Sequence, residues 1–302
     1  MPEGYKSGFV AVVGKPNVGK STLMNRYVGQ KVAIVSPKPQ TTRRRILGIR
    51  TDQRAQIIFV DTPGIHEPLH KLGEFMVETA TRAIPDADLI LFMVDVSEAP
   101  TDEDRQIGDI LRQHARVPIF LVLNKADLLA PDEVESHTTA YGGLVEPAQV
   151  VLTSATEGTG TDHLLDEIVG HLPAGPQYYP PDQVTDQPER IIAAELIREQ
   201  VLHFTHHEVP HSVAVVVEEW KQRREDLIYI NANIYVERDS QKRILIGARG
   251  SMLKRIGQAA RRELEQFVGH RVFLELWVKV RKRWRKDENA LRWLGYRLPK
   301  KG

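Results

Sequence analysis

The chain contains no cysteine, no apolar run long enough to span a bilayer and almost no net charge, and each absence removes a class of protein. Without thiols there is no disulfide framework, no zinc-finger site and no thiolate catalysis. Without a spanning run there is no transmembrane helix to expect. Residues 1–8 are polar and pass directly into an apolar, strand-like run, so they lack the charged-then-apolar layout of a secretory leader, and a cytoplasmic location is expected. What remains is a 302-residue chain with 41% hydrophobic and 27% charged residues, a balance typical of soluble globular proteins and enough for two domains with their own cores. The net charge of +1 conceals an asymmetry: residues 1–175 carry 17 Lys and Arg against 23 Asp and Glu, or −6, whereas residues 176–302 carry 24 against 17, or +7. From Ser240 onward the count is 18 against 5, or +13, which points to an anionic partner or to a solvated basic face.

In the first half, short apolar runs at 9–13, 57–60, 89–94, 119–123 and 150–152 read as strands, and the segments 19–29, 72–83, 102–114 and 161–172 have helical spacing. Alternation of buried strand and amphipathic helix predicts an α/β domain over 1–175 with a mostly parallel sheet, whose ligand binds beyond the carboxyl ends of the strands. Five prolines in 173–188 resist helix and sheet, so 176–188 reads as a linker. Residues 189–302 form a second domain, with a helix at 189–205, strands at 213–221 and 227–236, a helix at 251–267, a strand at 272–280 and a short helix near 287–294. Its strands alternate: Ile228, Ile230, Ala232, Ile234 and Val236 share one face, as do Val272, Leu274, Leu276, Val278 and Val280.

Gly14-Lys15-Pro16-Asn17-Val18-Gly19-Lys20-Ser21 is a phosphate-binding loop placed between a strand and a helix, as that motif requires. Its amides and the helix N-terminus, from Asn17 through Thr22, would hold the phosphates. Lys20 would bridge the β- and γ-phosphates, and Ser21 would ligate Mg²⁺. Asp61-Thr62-Pro63-Gly64 follows the second apolar run. There Asp61 reaches Mg²⁺ through water, and the Gly64 amide is available to the γ-phosphate. Asn124-Lys125-Ala126-Asp127 selects guanine: Asp127 accepts from its ring N–H and amine, while Asn124 and Lys125 brace the loop. Ser154-Ala155 would supply an amide to the guanine oxygen.

With these pieces in order, residues 8–172 resemble the Ras-like P-loop GTPases. That resemblance implies a switch-loop threonine on Mg²⁺. Thr-Thr-Arg at 41–43 is similar to the Era-type branch and points to Thr42, with Thr41 the less favoured alternative. Lys20, Thr42 and Gly64 are then the catalytic set. Ile65 stands where Ras-like relatives place a water-orienting glutamine, so slow intrinsic GTP hydrolysis is expected. Asn17 resembles the asparagine of potassium-activated relatives, which makes K⁺ a further expected cofactor beside GTP, GDP and Mg²⁺.

Ile246-Gly247-Ala248-Arg249-Gly250 precedes the helix at 251–267, which carries Lys254 and Arg255. A Gly-x-x-Gly loop after helix, strand, strand and before helix, strand reads as an α+β type II K-homology domain that lets single-stranded RNA approach the backbone. Lys279, Arg281, Lys282, Arg283, Arg285 and Lys286 add six charges in eight residues and would grip phosphates. Trp284 among them is either a base-stacking group or a core anchor, with the anchor favoured. One GTPase domain and one such RNA module, with no second P-loop, match the Era family over nearly the whole chain. Family resemblance implies binding to 16S ribosomal RNA, a role in 30S subunit assembly and peripheral association with the inner membrane. No dimer motif appears, so a monomer is expected. Two rivals are a GTP-regulated membrane or cell-division adaptor whose basic domain meets acidic lipid, and an RNA-binding scaffold with an inert GTPase domain.

Overall fold

A computed structural model describes residues 4–296; residues 1–3 and 297–302, the outer ends of the two expected domains, lie outside the described residues. The chain separates into two compact units. The first takes the described residues up to Ala33 together with Thr42–Leu69 and Gly73–Asp186, and the second takes Ile34–Thr41, His70–Leu72 and the described residues from Gln187 onward.

The first unit is a six-stranded sheet in the order β2-β3-β1-β4-β5-β6. Its strands are β1 (Lys6–Val13), β2 (Ile46–Thr51), β3 (Ala55–Asp61), β4 (Leu89–Asp95), β5 (Ile119–Asn124) and β6 (Gln149–Leu152). Only β2 runs antiparallel, paired with β3; every other pairing is parallel. Helices α1 (Lys20–Val28), α2 (Lys71–Arg82), α3 (Asp102–His114), α4 (Val134–Gly142) and α5 (Thr161–His171) accompany the strands. Alternate residues of one strand enter opposite cores: Leu89, Leu91 and Met93 pack with Leu23, Met24 and Leu164, whereas Ile90, Phe92 and Val94 pack with Ile107, Leu111 and Tyr141. A sheet covered on both faces explains why these strands read as unbroken apolar runs. The expected strands and helices are therefore present, with β2 and α4 added. The proline-rich stretch lies along this unit. Buried Gln56 accepts from the amides of Tyr178 at 2.7 Å and Tyr179 at 2.9 Å, and the Ile49 amide donates to the Val184 carbonyl at 2.8 Å.

The second unit has a three-stranded sheet, β7 (Ala214–Arg224), β8 (Leu227–Val236) and β9 (Arg271–Val280), in that order. β7 pairs antiparallel and β9 parallel with β8. Register sets Ile228 beside Val272, Ile230 beside Leu274 and Ile234 beside Val278, so the two alternating apolar rows share one side of the sheet. There they meet α6 (Glu189–Phe204) and α8 (Ser251–Val268), which contribute Ile197, Val201, Ile256, Ala260 and Leu264 to one core. Between β8 and the glycine loop lies α7 (Asp239–Ile246), absent from the sequence reading. Its eight residues offer barely two turns of apolar spacing, and only Gln241 and Leu245 are buried. A short helix, α9 (Glu288–Trp293), follows the basic segment and is capped by the Asp287 carboxylate, which accepts from the Asn289 and Ala290 amides.

Candidate nucleotide and nucleic-acid sites

The carboxyl ends of β1, β3, β5 and β6 lead into the four loops read as a nucleotide site. Gly19 at the mouth of α1 has φ 104°, and a Cβ there would meet Asn124 Nδ2 at 2.3 Å, so only glycine fits. Buried Lys20 donates through Nζ to the carbonyls of Gly14 at 3.0 Å and Lys15 at 2.8 Å. Burial lowers the Lys20 pKa to about 8, opposed by the charge of Asp61.

Three oxygen donors converge beside it. Ser21 Oγ donates to Asp61 Oδ2 at 2.6 Å and lies 2.9 Å from Thr42 Oγ1, and Thr42 Oγ1 is 3.4 Å from the same carboxylate oxygen. Asp61 is fully buried, and its Oδ1 has no hydrogen-bond partner among the described residues. Burial raises its pKa to about 6 against the opposing pull of Lys20 and the two hydroxyls. A buried carboxylate with one oxygen unmatched, next to two hydroxyls, fits a hard divalent cation. The Thr41 hydroxyl is engaged elsewhere, donating to the Lys38 carbonyl at 2.6 Å.

Gly64 packs so tightly on the phosphate loop that a Cβ would fall 2.5 Å from the Pro16 nitrogen. Ile65 is buried in the first-unit core, so its side chain has no access to a reacting water.

Where the sequence places the guanine loops, Asn124 Nδ2 donates to the Val18 carbonyl at 2.7 Å, while its Oδ1 accepts from the Ala155 amide at 2.9 Å and the Thr153 hydroxyl at 3.1 Å. Lys125 adopts a left-handed backbone, φ 65°, and its ammonium pairs with the Asp95 carboxylate. Burial alone would raise the Asp95 pKa, yet Lys125 and the Ser97 hydroxyl hold it below the ordinary carboxylate range. Asp127 is exposed on the turn that follows. The Ser154 amide donates to Thr159 and the Ala155 amide to Asn124, so neither of the two amides proposed for the guanine oxygen is idle. Asn17, with φ 65°, is exposed, and Val18 is buried.

Three contacts were not legible in the motifs. Lys15 Nζ donates at 3.0 Å to Asp104 Oδ2, a fully buried carboxylate of α3, tying the phosphate loop to that helix. Within the second unit, Glu199 Oε1 accepts from the Val35 amide at 2.9 Å and Arg198 donates to the Thr41 carbonyl, fixing the segment that ends just before Thr42. Neither charged residue belongs to a motif, and because the same helix also carries Glu189, Arg190 and Glu195, no sequence signal sets these two apart.

The second unit carries a groove of about 410 Å³ lined by Gly250, Leu253, Lys254, Gly257, Gln258, Arg261 and the β9 residues Val272, Phe273, Leu274 and Leu276. The groove thus brings together Gly250 and Lys254 of the expected RNA site, with Ile246, Gly247, Ala248 and Arg249 leading into it from α7. A Cβ at Gly250 would meet no atom within 4 Å, so the loop stands open to an approaching backbone. Arg255 turns aside and lies over the Phe204 ring, 4.3 Å from its centroid. Lys279, Arg281, Lys282 and Arg283 do not line the groove; Arg281 lies 4.5 Å over the Trp293 ring, and Lys282 and Arg283 are exposed. Trp284 is fully buried and donates through Nε1 to the Ser212 carbonyl at 2.9 Å, which makes it the core anchor. Lys254, Gln258 and Arg261 fall at i, i+4 and i+7 on α8, a spacing that could have disclosed the groove wall from sequence.

A family model described as 50S ribosome-binding GTPase matches residues 9–125, and a KH domain model matches residues 208–285. The solved structure of Era in complex with MgGDPNP and nucleotides 1506–1542 of 16S ribosomal RNA is 42% identical to this chain, at a TM-score of 0.94, covering 97% of this chain and 100% of that one. The chain belongs to the Era family of GTPases. A tyrosine-to-alanine variant of Aquifex aeolicus Era bound to GDP and AlF4⁻ matches at 42% identity with a TM-score of 0.92, again over 97% of this chain and 100% of that one. As an Era-family member the protein is a GTP-hydrolysing enzyme with a Ras-like domain followed by a K-homology domain.

Proposed function

We propose that this Era-family GTPase is a Mg²⁺- and GTP-dependent switch that binds the 3′ region of 16S ribosomal RNA and assists 30S subunit assembly. The observation that carries the nucleotide half is the convergence of Ser21, Thr42 and the unmatched carboxylate of Asp61 beside Lys20. Ser21 and Thr42 would hold Mg²⁺ directly and Asp61 through water; the ion would neutralise charge on the β- and γ-phosphates. Lys20 leaves two loop carbonyls to meet the phosphates, and the Gly64 amide and Thr42 respond to the γ-phosphate. Asp127 accepts from the guanine ring N–H and amine, with the Ala155 amide shared between Asn124 and the guanine oxygen.

Because Ile65 is buried, no side chain at that position orients water, and intrinsic hydrolysis is slow. A K⁺ ion held at Asn17 would supply the positive charge that an arginine finger provides in other GTPases; equal turnover in Na⁺ and K⁺ buffers would remove that part of the reading. The RNA half rests on the groove beside Gly250, and on the relative solved with nucleotides 1506–1542 of 16S ribosomal RNA. Gly247, Ala248, Arg249, Gly250 and Lys254 meet the RNA backbone there, with Lys279, Arg281, Lys282 and Arg283 reinforcing the positive field. The protein acts as a monomer in the cytoplasm and, as its family resemblance implies, associates peripherally with the inner membrane. Among the described residues no helix is long and apolar enough to cross a membrane.

A direct test titrates the protein with GTP and ATP in Mg²⁺, then measures affinity for the 1506–1542 RNA and for anionic vesicles. Preference for GTP and for RNA is expected. Vesicle-only binding would favour the adaptor reading, and equal affinity for ATP would end the switch reading.

A further inference from the structure

The face of the second sheet turned away from its helices is not a bland solvated surface. Along β9, the residues alternating with the core row are Phe273, Glu275, Trp277 and Lys279, set in register beside Tyr229, Asn231, Asn233 and Tyr235 of β8. Phe273 is 49% and Trp277 59% exposed, unusual values for large rings on a sheet. Tyr229 stacks on Phe273 with ring centroids 6.0 Å apart, and the Arg223 guanidinium lies 3.9 Å over Tyr229. The surface is therefore braced in place rather than collapsed onto itself.

We propose that this face is a second single-stranded RNA site, continuous with the groove, on which bases stack against Phe273 and Trp277. The inference rests on the proposal that the groove beside Gly250 holds RNA, and extends it. Three observations converge. Phe273 lines the groove and stands exposed on the outward row, and β9 is the edge strand, so a chain leaving the groove crosses that edge directly onto the row. Phe273 and Trp277 are four residues apart, about 13 Å along the strand, so each ring meets a different base. The row ends at exposed Lys279, with exposed Lys282 and Arg283 just beyond, supplying cations where phosphates would run. A flat ring on a rigid strand offers every base a stacking partner without sequence preference.

A lipid surface fits less well. Glu275 sits between the two rings, accepting from the Tyr229 hydroxyl, and a carboxylate amid the row repels anionic headgroups while accepting from base amino groups.

The test measures binding of the 1506–1542 RNA to the full chain by anisotropy, with anionic phosphatidylglycerol vesicles in parallel. Trp277→Ala is expected to weaken RNA binding about tenfold, the effect of losing one stacked base. Trp277→Phe should restore affinity to within about threefold, whereas Trp277→Leu should not, because stacking rather than apolarity is needed. Since Trp277 is exposed and outside the groove, thermal unfolding should be unchanged in all three. Gly250→Asp blocks the groove itself and reports on the underlying reading. If Gly250→Asp weakens RNA binding and Trp277→Ala does not, the stacking face is wrong and the groove stands; if Gly250→Asp has no effect, the groove reading falls. Equal binding by the Leu and Phe variants, or loss of vesicle binding with RNA binding intact, also overturns the proposal.

Discussion

The Asn124 side chain joins three loops of the proposed nucleotide site through one amide group: Nδ2 donates to the Val18 carbonyl at 2.7 Å, and Oδ1 accepts from the Ala155 amide at 2.9 Å. The residue is 2% exposed, so no water replaces those bonds when the side chain is removed. Asn124→Ala should cost about 1–3 kcal/mol for each buried group left unpaired. GDP and GTP affinity should fall together, by tenfold or more, because the loss concerns the base and the loop rather than the γ-phosphate. Calorimetric titration with both nucleotides and thermal unfolding check this; a selective loss of GTP would contradict it.

Gly64 has a different signature. Its Cβ position lies 2.5 Å from the Pro16 nitrogen and 2.7 Å from the Pro16 Cα, both backbone atoms that cannot swing aside. Gly64→Ala should hold the loop off the phosphate site and remove the amide from reach of the γ-phosphate. GDP affinity should change less than about threefold, while GTP affinity and turnover fall by at least about tenfold, the value of one lost charge-assisted hydrogen bond. Parallel titrations with GDP and a non-hydrolysable GTP analogue separate the outcomes.

Those two residues also show what the sequence discloses. Asn124 and Gly64 are visible because their spacing after apolar runs is a chemical requirement of the proposed site, and parallel strands bring their carboxyl ends to one edge. β2 and α4 escape the apolar pattern for a local reason. Among β2's six residues are Gly48 and Arg50, which break its apolar run, and α4 has the sequence VESHTTAYG with only Tyr141 buried. α7 failed for its length. The Lys15–Asp104 pair and the Glu199–Val35 contact join residues 89 and 164 positions apart, and no periodicity encodes a partner at that distance. Groove-wall residues were half legible, since α8 period places Lys254, Gln258 and Arg261 together but only the β9 register adds Phe273.

Trp284 separates a structural role from an RNA-contacting one. It is fully buried, bonded to the Ser212 carbonyl at 2.9 Å and stacked on Tyr296 at 6.1 Å. Trp284→Ala should destabilise the second unit by about 3–5 kcal/mol. Trp284→Phe keeps most of the ring and loses the N–H, costing about 1–3 kcal/mol for the unpaired carbonyl and imperfect packing. At a temperature where the Phe variant is folded, its RNA affinity should equal that of the parent. Denaturant unfolding beside RNA titration measures both, and a folded Phe variant with weakened RNA binding would return Trp284 to the RNA site.

Base selection gives the sharpest chemical test, because it changes hydrogen-bond polarity without changing size. Asp127 is exposed at the turn after β5, where a bound base would cover it, and its carboxylate only accepts. Guanine presents a ring N–H and an amine to it; xanthine presents a carbonyl in place of the amine. Asp127→Asn exchanges one acceptor for a donor, so it mismatches guanine's amine and matches xanthine's carbonyl. GTP affinity should drop at least about a hundredfold, as expected when a site built for hydrogen bonds meets an unmatched partner. Xanthosine triphosphate should become the preferred substrate, with turnover near that of the parent on GTP, because Lys20, Ser21, Thr42 and Asp61 are untouched. Hydrolysis assays with both nucleotides on both proteins complete the comparison. Loss of all turnover with the fold intact would mean that Asp127 acts on the phosphate end as well, and retained GTP preference would move guanine recognition to another residue.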